Sequence, residues 1–421
     1  MKTLVSIWVT FVMTFVSFVP GFVPPDNTHQ TEKSYPYIFV HGLFGWGEDE
    51  GIDETLPYWG ATSCDLIQNI KDEGYECYDA SVGPVSSNWD RACELYAQLT
   101  GTRVDYGEAH ANAHNHLRYG RTYDAPLIEN WGAKDENGRV NKVNLIGHSF
   151  GGNTIRLLAG LLCDGAQREI EVTDEADISP LFTGGKSDWV NACITICTPN
   201  NGSTCAYIAD ELNIKQLLLI SIYFYAGIMG RSKINGYVDF HLEQFGLTNI
   251  PGDTPTQEML LKAVDKVLEQ KKDNAAYDLS PEGAQELNEY TDTNENIYYF
   301  SYPFSTTKSM PVIGNHVAIP STLVILRPFA AMMGAYSKNR ITDYKIDKTW
   351  LENDGLVNLV SAKYPFGDSH RDYDPADVSR GIWNVMPVST GDHGNAIGIG
   401  VSEEETMKFY NGIINMIEGL D

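Results

Sequence analysis

Short uncharged runs alternate with longer amphipathic stretches along this chain, and their lengths separate strands from helices. Pro36-Tyr37-Ile38-Phe39-Val40 is aromatic and β-branched, which predicts a buried strand. Comparable runs over 75–82, 143–146, 192–198 and 297–301 predict four more. Thr154-Ile155-Arg156-Leu157-Leu158-Ala159-Gly160-Leu161-Leu162 reads as a helix, and 404–420 carries a second helical pattern to the C-terminus. Strands separated by helical stretches predict a largely parallel sheet covered on both faces. With no internal repeat or low-complexity tract, the length of 421 residues is assigned to insertions in one core, at about 84–123 and 205–287.

One strand runs straight into a glycine-walled turn, Val143-Asn144-Leu145-Ile146-Gly147-His148-Ser149-Phe150-Gly151-Gly152-Asn153. Glycines at 147 and 151 permit a strained strand-to-helix turn that projects the Ser149 hydroxyl while the Phe150 amide faces a developing oxyanion. That is the pattern of the nucleophile elbow of α/β-hydrolases, and it predicts ester hydrolysis. His41-Gly42-Leu43-Phe44-Gly45-Trp46-Gly47 follows the first strand, where such folds keep a second oxyanion donor.

In this fold the nucleophile, the acid and the histidine follow in chain order, so the base lies after Ser149. Four histidines qualify. His241 falls in the second insertion, His370 in a polar run typical of a solvated loop, and His316 too early to leave room for an acid-bearing strand before it. His393, in a small-residue loop ahead of the C-terminal helix, fits best. The acid should follow a late strand; Asp354, with Gly355 allowing a tight turn, fits best, and Asp347 and Asp372 remain alternatives.

No charged residue occurs from 216 to 230, and Leu217-Leu218-Leu219-Ile220-Ser221-Ile222-Tyr223-Phe224-Tyr225-Ala226 is apolar around most of a helix. It falls short of the ~20 residues that span a bilayer. A lid that covers an acyl site and swings aside at a lipid surface, or a buried core helix, fits this composition equally.

Charge narrows the partners. A formal net charge of −26 repels polyphosphate, which argues against nucleic acid and fits secretion as an acidic protein. Lys2 and the apolar run 3–19, followed by Pro20-Gly21, look like the first two regions of a signal peptide, with a linker to residue 33. An Ala-x-Ala cleavage site is missing, so an uncleaved N-terminal anchor also fits. Seven cysteines at no framework spacing predict at least one free thiol unless one pairs between chains; Cys193 and Cys197, at i, i+4 on one strand face, read as buried thiols.

Glu108-Ala109-His110-Ala111-Asn112-Ala113-His114-Asn115-His116 packs three of the ten histidines into seven residues, about twenty positions after Asp90. Clustered imidazoles near a carboxylate suit Zn²⁺, although a solvated turn has the same composition and spacing alone does not choose the ligands.

Taken together, His41-Gly42-Leu43-Phe44-Gly45-Trp46-Gly47, Ser86-Ser87-Asn88-Trp89-Asp90-Arg91-Ala92-Cys93-Glu94, Val104-Asp105-Tyr106-Gly107, Tyr119-Gly120-Arg121-Thr122-Tyr123 and Trp350-Leu351-Glu352-Asn353-Asp354-Gly355 resemble, in order, motifs of the secreted true lipases of the thermophilic Geobacillus type, with staphylococcal lipases as more distant relatives. The resemblance runs from about residue 35 to the C-terminus. It implies an α/β-hydrolase fold and a triacylglycerol lipase or carboxylesterase, with Ser149 as nucleophile, Asp354 as acid, His393 as base, and the Leu43 and Phe150 amides as oxyanion hole. It also implies a structural zinc held by Asp90, His110, His116 and Asp273, with His114 outside the shell. A polyester-degrading esterase with an open site is the alternative substrate reading; a non-catalytic lipid-binding protein would require a missing triad member.

The chain departs from that family at its calcium site, where Asn395 and Gly400 occupy the positions of two carboxylates and Ser321 that of a carbonyl donor. Uncharged oxygens bind Ca²⁺ poorly, so this site is expected to be lost. Gly147 also replaces an alanine of the thermophilic relatives.

Overall fold

The computed structural model describes residues 35–212, 239, 241–246, 270–312, 314–337 and 344–420. The apolar segment 216–230, read above as lid or core helix, lies outside them.

Seven strands build the central sheet: β1 (Tyr37–Val40), β2 (Cys77–Ala80), β3 (Val143–His148), β4 (Val190–Ile196), β5 (Tyr298–Tyr302), β6 (His370–Asp372) and β7 (Trp383–Val385), in the order β6-β7-β5-β4-β3-β1-β2. Every neighbouring pair is parallel. Alternation along each strand divides the core in two. Ile38, Val40, Val143 and Leu145 face one apolar cluster, and Tyr37, Phe39 and Ile146 face the other. With both faces covered, the central strands are fully buried, as a parallel sheet requires. An all-parallel seven-stranded sheet with helices packed on both faces is the α/β-hydrolase architecture expected from the sequence.

Helix α1 (Asn88–Thr100) packs Ala92, Leu95 and Leu99 on the first face. The Ser87 side chain accepts from the Asp90 amide to start it, and Gly101 in the left-handed region stops it. Helix α2 (Glu108–His114) follows, then α3 (Phe150–Asp164), whose Ile155, Leu158 and Leu162 join the same cluster. Helix α4 (Glu403–Glu418) covers the second face through Tyr410, Ile413, Ile414 and Ile417, opened by a capping box of Ser402 and Glu405. No described helix is long and apolar enough to cross a membrane.

Three expectations need correction. β4 ends at Ile196, not 198, because Cys197 turns to φ 51°. Cys193 and Cys197 therefore join opposite clusters instead of sharing one strand face, although both are buried, and none of the seven cysteines is paired. His370 does not lie in a loop: it opens edge strand β6, exposed, with its ring stacked on Tyr364. Three residues with a polar exposed side carry no periodicity to read. Asp354 does not sit at the end of a sheet strand; it follows a 3₁₀ turn at Lys348–Trp350, in a tight loop closed by an isolated bridge between Asn353 and Asn358.

Candidate active site

β3 delivers Ser149 at the point where the chain must reverse into α3. Its backbone, φ 55° and ψ −126°, is costly for a residue with a side chain. The conformation is held from both sides: the Ser149 amide donates to the Ile196 carbonyl at 2.8 Å, and the Gly152 amide donates to the Ser149 carbonyl at 3.0 Å. Gly151 passes so close to β1 that a methyl group there would lie 2.0 Å from the Val40 carbonyl oxygen. The serine is nearly buried, at 8% exposure.

The Asp354 carboxylate is fully buried and ordered by three donors. Oδ1 accepts from the amides of Leu356 at 2.9 Å and Val357 at 2.7 Å, and Oδ2 lies 2.8 Å from His393 Nδ1. Gly355, at φ +101°, supplies the backbone freedom this wrap needs. A carboxylate at Nδ1 fixes the proton there and leaves Nε2 as the basic nitrogen. The alternative acid Asp347 instead caps its own turn by accepting from the Thr349 amide, and Asp372 lies in β6.

The loop that carries His393 is braced by its own side chains. Asp392 accepts from the amides of Gly394, Asn395 and Leu323, and burial raises its pKa above the usual carboxylate range. Asn395 accepts from the Asp392 amide at 2.8 Å and donates to the Ile399 carbonyl at 2.9 Å. These two bonds close the loop at one of the two positions where the sequence led us to expect a lost calcium site.

Leu43 sits between two anchored neighbours. The Gly42 amide donates to the Tyr58 hydroxyl, and the Phe44 amide donates to the Pro84 carbonyl at 3.0 Å. Phe150 is the first residue of α3, so its amide has no acceptor within the helix. Arg91, fully buried, donates to the carbonyls of His41 and Gly83 and to the Thr154 hydroxyl, and its guanidinium lies 4.8 Å from the centre of the Phe150 ring. Burial lowers its pKa to about 10, which leaves it charged at neutral pH. It joins the loop after β1 to the start of α3.

Sequence reasoning gave no role here to Arg91, Tyr58 or His148, and read Cys197 only as a buried thiol. The Cys197 thiol is buried near Asp354; burial first, then the charge of Asp354, pushes its pKa well up, so it stays protonated. His148 stood inside the elbow motif as a variable position, and nothing in the sequence near Tyr58 marked it.

A second cluster lies where α1, α2 and the chain at 273 meet. Single ligand atoms of Asp90, His110, His116 and Asp273 all fall within 4.8 Å of one another, with His114 outside this group. Among the described residues, Asp90 Oδ1, His110 Nε2, His116 Nε2 and both Asp273 oxygens are buried without a hydrogen-bond partner. Around them, His116 Nδ1 donates to the Leu117 carbonyl at 2.8 Å, which turns the Nε2 lone pair inward; Gln244 donates to Asp90 Oδ2; and Trp89 stacks on the His110 ring.

The family model described as "Lipase-like, C-terminal domain" matches residues 33–419. Lipase 1 of Staphylococcus aureus is 35% identical over 377 residues, covering 88% of this chain and 51% of that protein. The chain thus spans about half the length of the curated relatives it matches. Among solved structures, EstA from Clostridium botulinum is 37% identical with a TM-score of 0.77, covering 94% of this chain and 92% of that one. The Staphylococcus hyicus lipase is 32% identical with a TM-score of 0.79, covering 94% and 99%. The chain belongs to the lipase-like C-terminal domain family.

Proposed function

We propose that this chain is an extracellular serine ester hydrolase, a triacylglycerol lipase or carboxylesterase, in one α/β-hydrolase domain of residues 34–421. One observation carries the reading: a serine on a strained elbow, next in sequence to a histidine bonded to His393, whose own ring is held 2.8 Å from a buried aspartate. His393 Nε2 takes the proton of Ser149 as its oxygen attacks the ester carbonyl, Asp354 balances the imidazolium, and the proton passes to the leaving alcohol. Water then repeats the steps and frees the acid. The Leu43 and Phe150 amides hold the oxyanion, each worth roughly 3 kcal/mol in comparable hydrolases. The signal-like N-terminus supports export, and an ester at a lipid–water interface is the substrate class.

The four-residue cluster suits a structural zinc. Bonds of ~2.0–2.1 Å at tetrahedral angles set ligand–ligand separations of ~3.3–3.4 Å. Here His110 Nε2 lies 3.4 Å from Asp90 Oδ1 and 3.3 Å from Asp273 Oδ1, while His116 Nε2 lies 3.4 Å from the other Asp273 oxygen, Oδ2, and 4.0 Å from Asp90 Oδ1. Four protein ligands leave no open position for water, so the ion would join segments far apart in the chain and take no part in ester cleavage. Calcium is not needed at the base loop, where Asn395 bridges the backbone itself.

Turnover of tributyrin and p-nitrophenyl butyrate by the native chain and by Ser149→Ala tests the function. Loss of at least 1000-fold, on the order expected for a missing nucleophile, is predicted; retained turnover contradicts it.

A further inference from the structure

Two residues outside the proposed triad connect the oxyanion loop to His393. The His148 ring is fully buried, with Nε2 3.2 Å from the His393 carbonyl and Nδ1 2.7 Å from the Tyr58 hydroxyl. A carbonyl can only accept, so Nε2 carries the ring proton; Nδ1 of the neutral ring then accepts, and Tyr58 donates to it. The Tyr58 oxygen in turn accepts from the Gly42 amide at 2.9 Å. Each bond fixes the direction of the next. A proton on both nitrogens would reverse the Tyr58 bond, and burial followed by the nearby charge of His393 holds the His148 pKa well below its usual value.

The chain of bonds begins one residue before Leu43 and ends on the main chain of His393. Between these ends lies the elbow: a methyl group on Gly42 would sit 2.8 Å from Ser149 Cβ and 2.9 Å from the Tyr58 oxygen. The centres of the His148 and His393 rings are 4.6 Å apart, so the bridge also packs against the ring of the base. Oxyanion donor and base must keep their separation to within a fraction of an ångström, and they come from segments some 350 positions apart.

We propose that Tyr58 and His148 are positioning residues, a one-directional hydrogen-bonded bridge that sets the spacing between the oxyanion loop at Gly42-Leu43 and the main chain of His393. The inference rests on the proposed roles of Ser149, Asp354 and His393. Tyr58→Phe removes one hydroxyl and His148→Leu removes both ring nitrogens, while His148→Gln keeps a donor at the Nε2 position.

Kinetics on p-nitrophenyl butyrate and ¹⁵N NMR of the histidine rings in the native protein test it. Expected are a kcat lower by about 10- to 100-fold in Tyr58→Phe and His148→Leu with KM within a factor of about two, partial recovery in His148→Gln, and less than multiplicative loss when Tyr58→Phe is added to His148→Leu. NMR should find the His148 proton on Nε2 in the unmutated chain, whether or not the variants fold. Native kcat in Tyr58→Phe and His148→Leu, or a His148 proton on Nδ1, overturns the bridge. Ser149→Ala run beside them separates the two ideas, since its retained activity would remove the triad reading instead.

Discussion

Asp354 holds His393 twice: its carboxylate accepts from the ring nitrogen Nδ1 at 2.8 Å, and its backbone carbonyl accepts from the His393 amide at 2.9 Å. One bond sets the tautomer and the other sets the position of the residue that carries the ring. Removing the charge while keeping the shape should therefore spare the fold and damage the chemistry. Asp354→Asn is expected to lower kcat by roughly 10³- to 10⁴-fold, with thermal unfolding little changed, because an amide at this site favours the wrong tautomer. A loss under tenfold would show that the acid lies elsewhere.

Close packing at the elbow gives a second prediction. Gly151→Ala places a methyl group 2.0 Å from the Val40 carbonyl, and both atoms belong to rigid elements. A cost of about 1–3 kcal/mol is expected, read as a lower midpoint in urea unfolding. An unchanged midpoint would mean that β1 and α3 can move apart freely.

Metal content is a separate question. Elemental analysis of the purified chain should find about one zinc, and chelation should lower Tm; Asp273→Asn should lose both the metal and the sensitivity to chelator. A metal-free preparation with the same Tm contradicts the zinc proposal. Added calcium should leave Tm unchanged in either case.

His241 predicts a pH dependence of stability. Burial and Arg121 lower its pKa, but Asp239, Glu50 and Glu94 outweigh them, and the value rises to about 9. Its Nε2 lies 3.3 Å from Glu50, and its charge also acts on buried His41. A raised pKa means that the imidazolium's stabilisation is complete below the unfolded value near 6.5 and is lost as pH climbs through about 9. The increment is at most about 3 kcal/mol. Unfolding measured at pH 6 and pH 10 should show this decline in the native chain and a smaller one in His241→Gln. Equal slopes in the two chains would assign the decline to other groups.

How much of this the sequence discloses depends on how local each signal is. The unit β3–Ser149–α3 is legible because a buried strand, two tight-packing glycines and an apolar helix are adjacent along the chain. Even there, α3 begins four residues before the apolar pattern does, since Phe150-Gly151-Gly152-Asn153 has poor helix propensity and is held by tertiary packing. The proposed acid is legible only in part: chain order and a following glycine favour Asp354 over Asp347 and Asp372, but its orientation depends on a contact across 39 residues. Strands β6 and β7, three residues each, are too short to show periodicity. Tyr58 and Arg91 act through bonds to residues 90 and 50 positions away, so no local pattern marks them.

The central claim is that Ser149 is the nucleophile. Reacting the active protein with a p-nitrophenyl alkylphosphonate and mapping the adduct by mass spectrometry tests it most directly. The account predicts one phosphonyl group per chain, on Ser149, formed in step with loss of esterase activity and absent in Ser149→Ala. Full inactivation with the label on any other residue would contradict it.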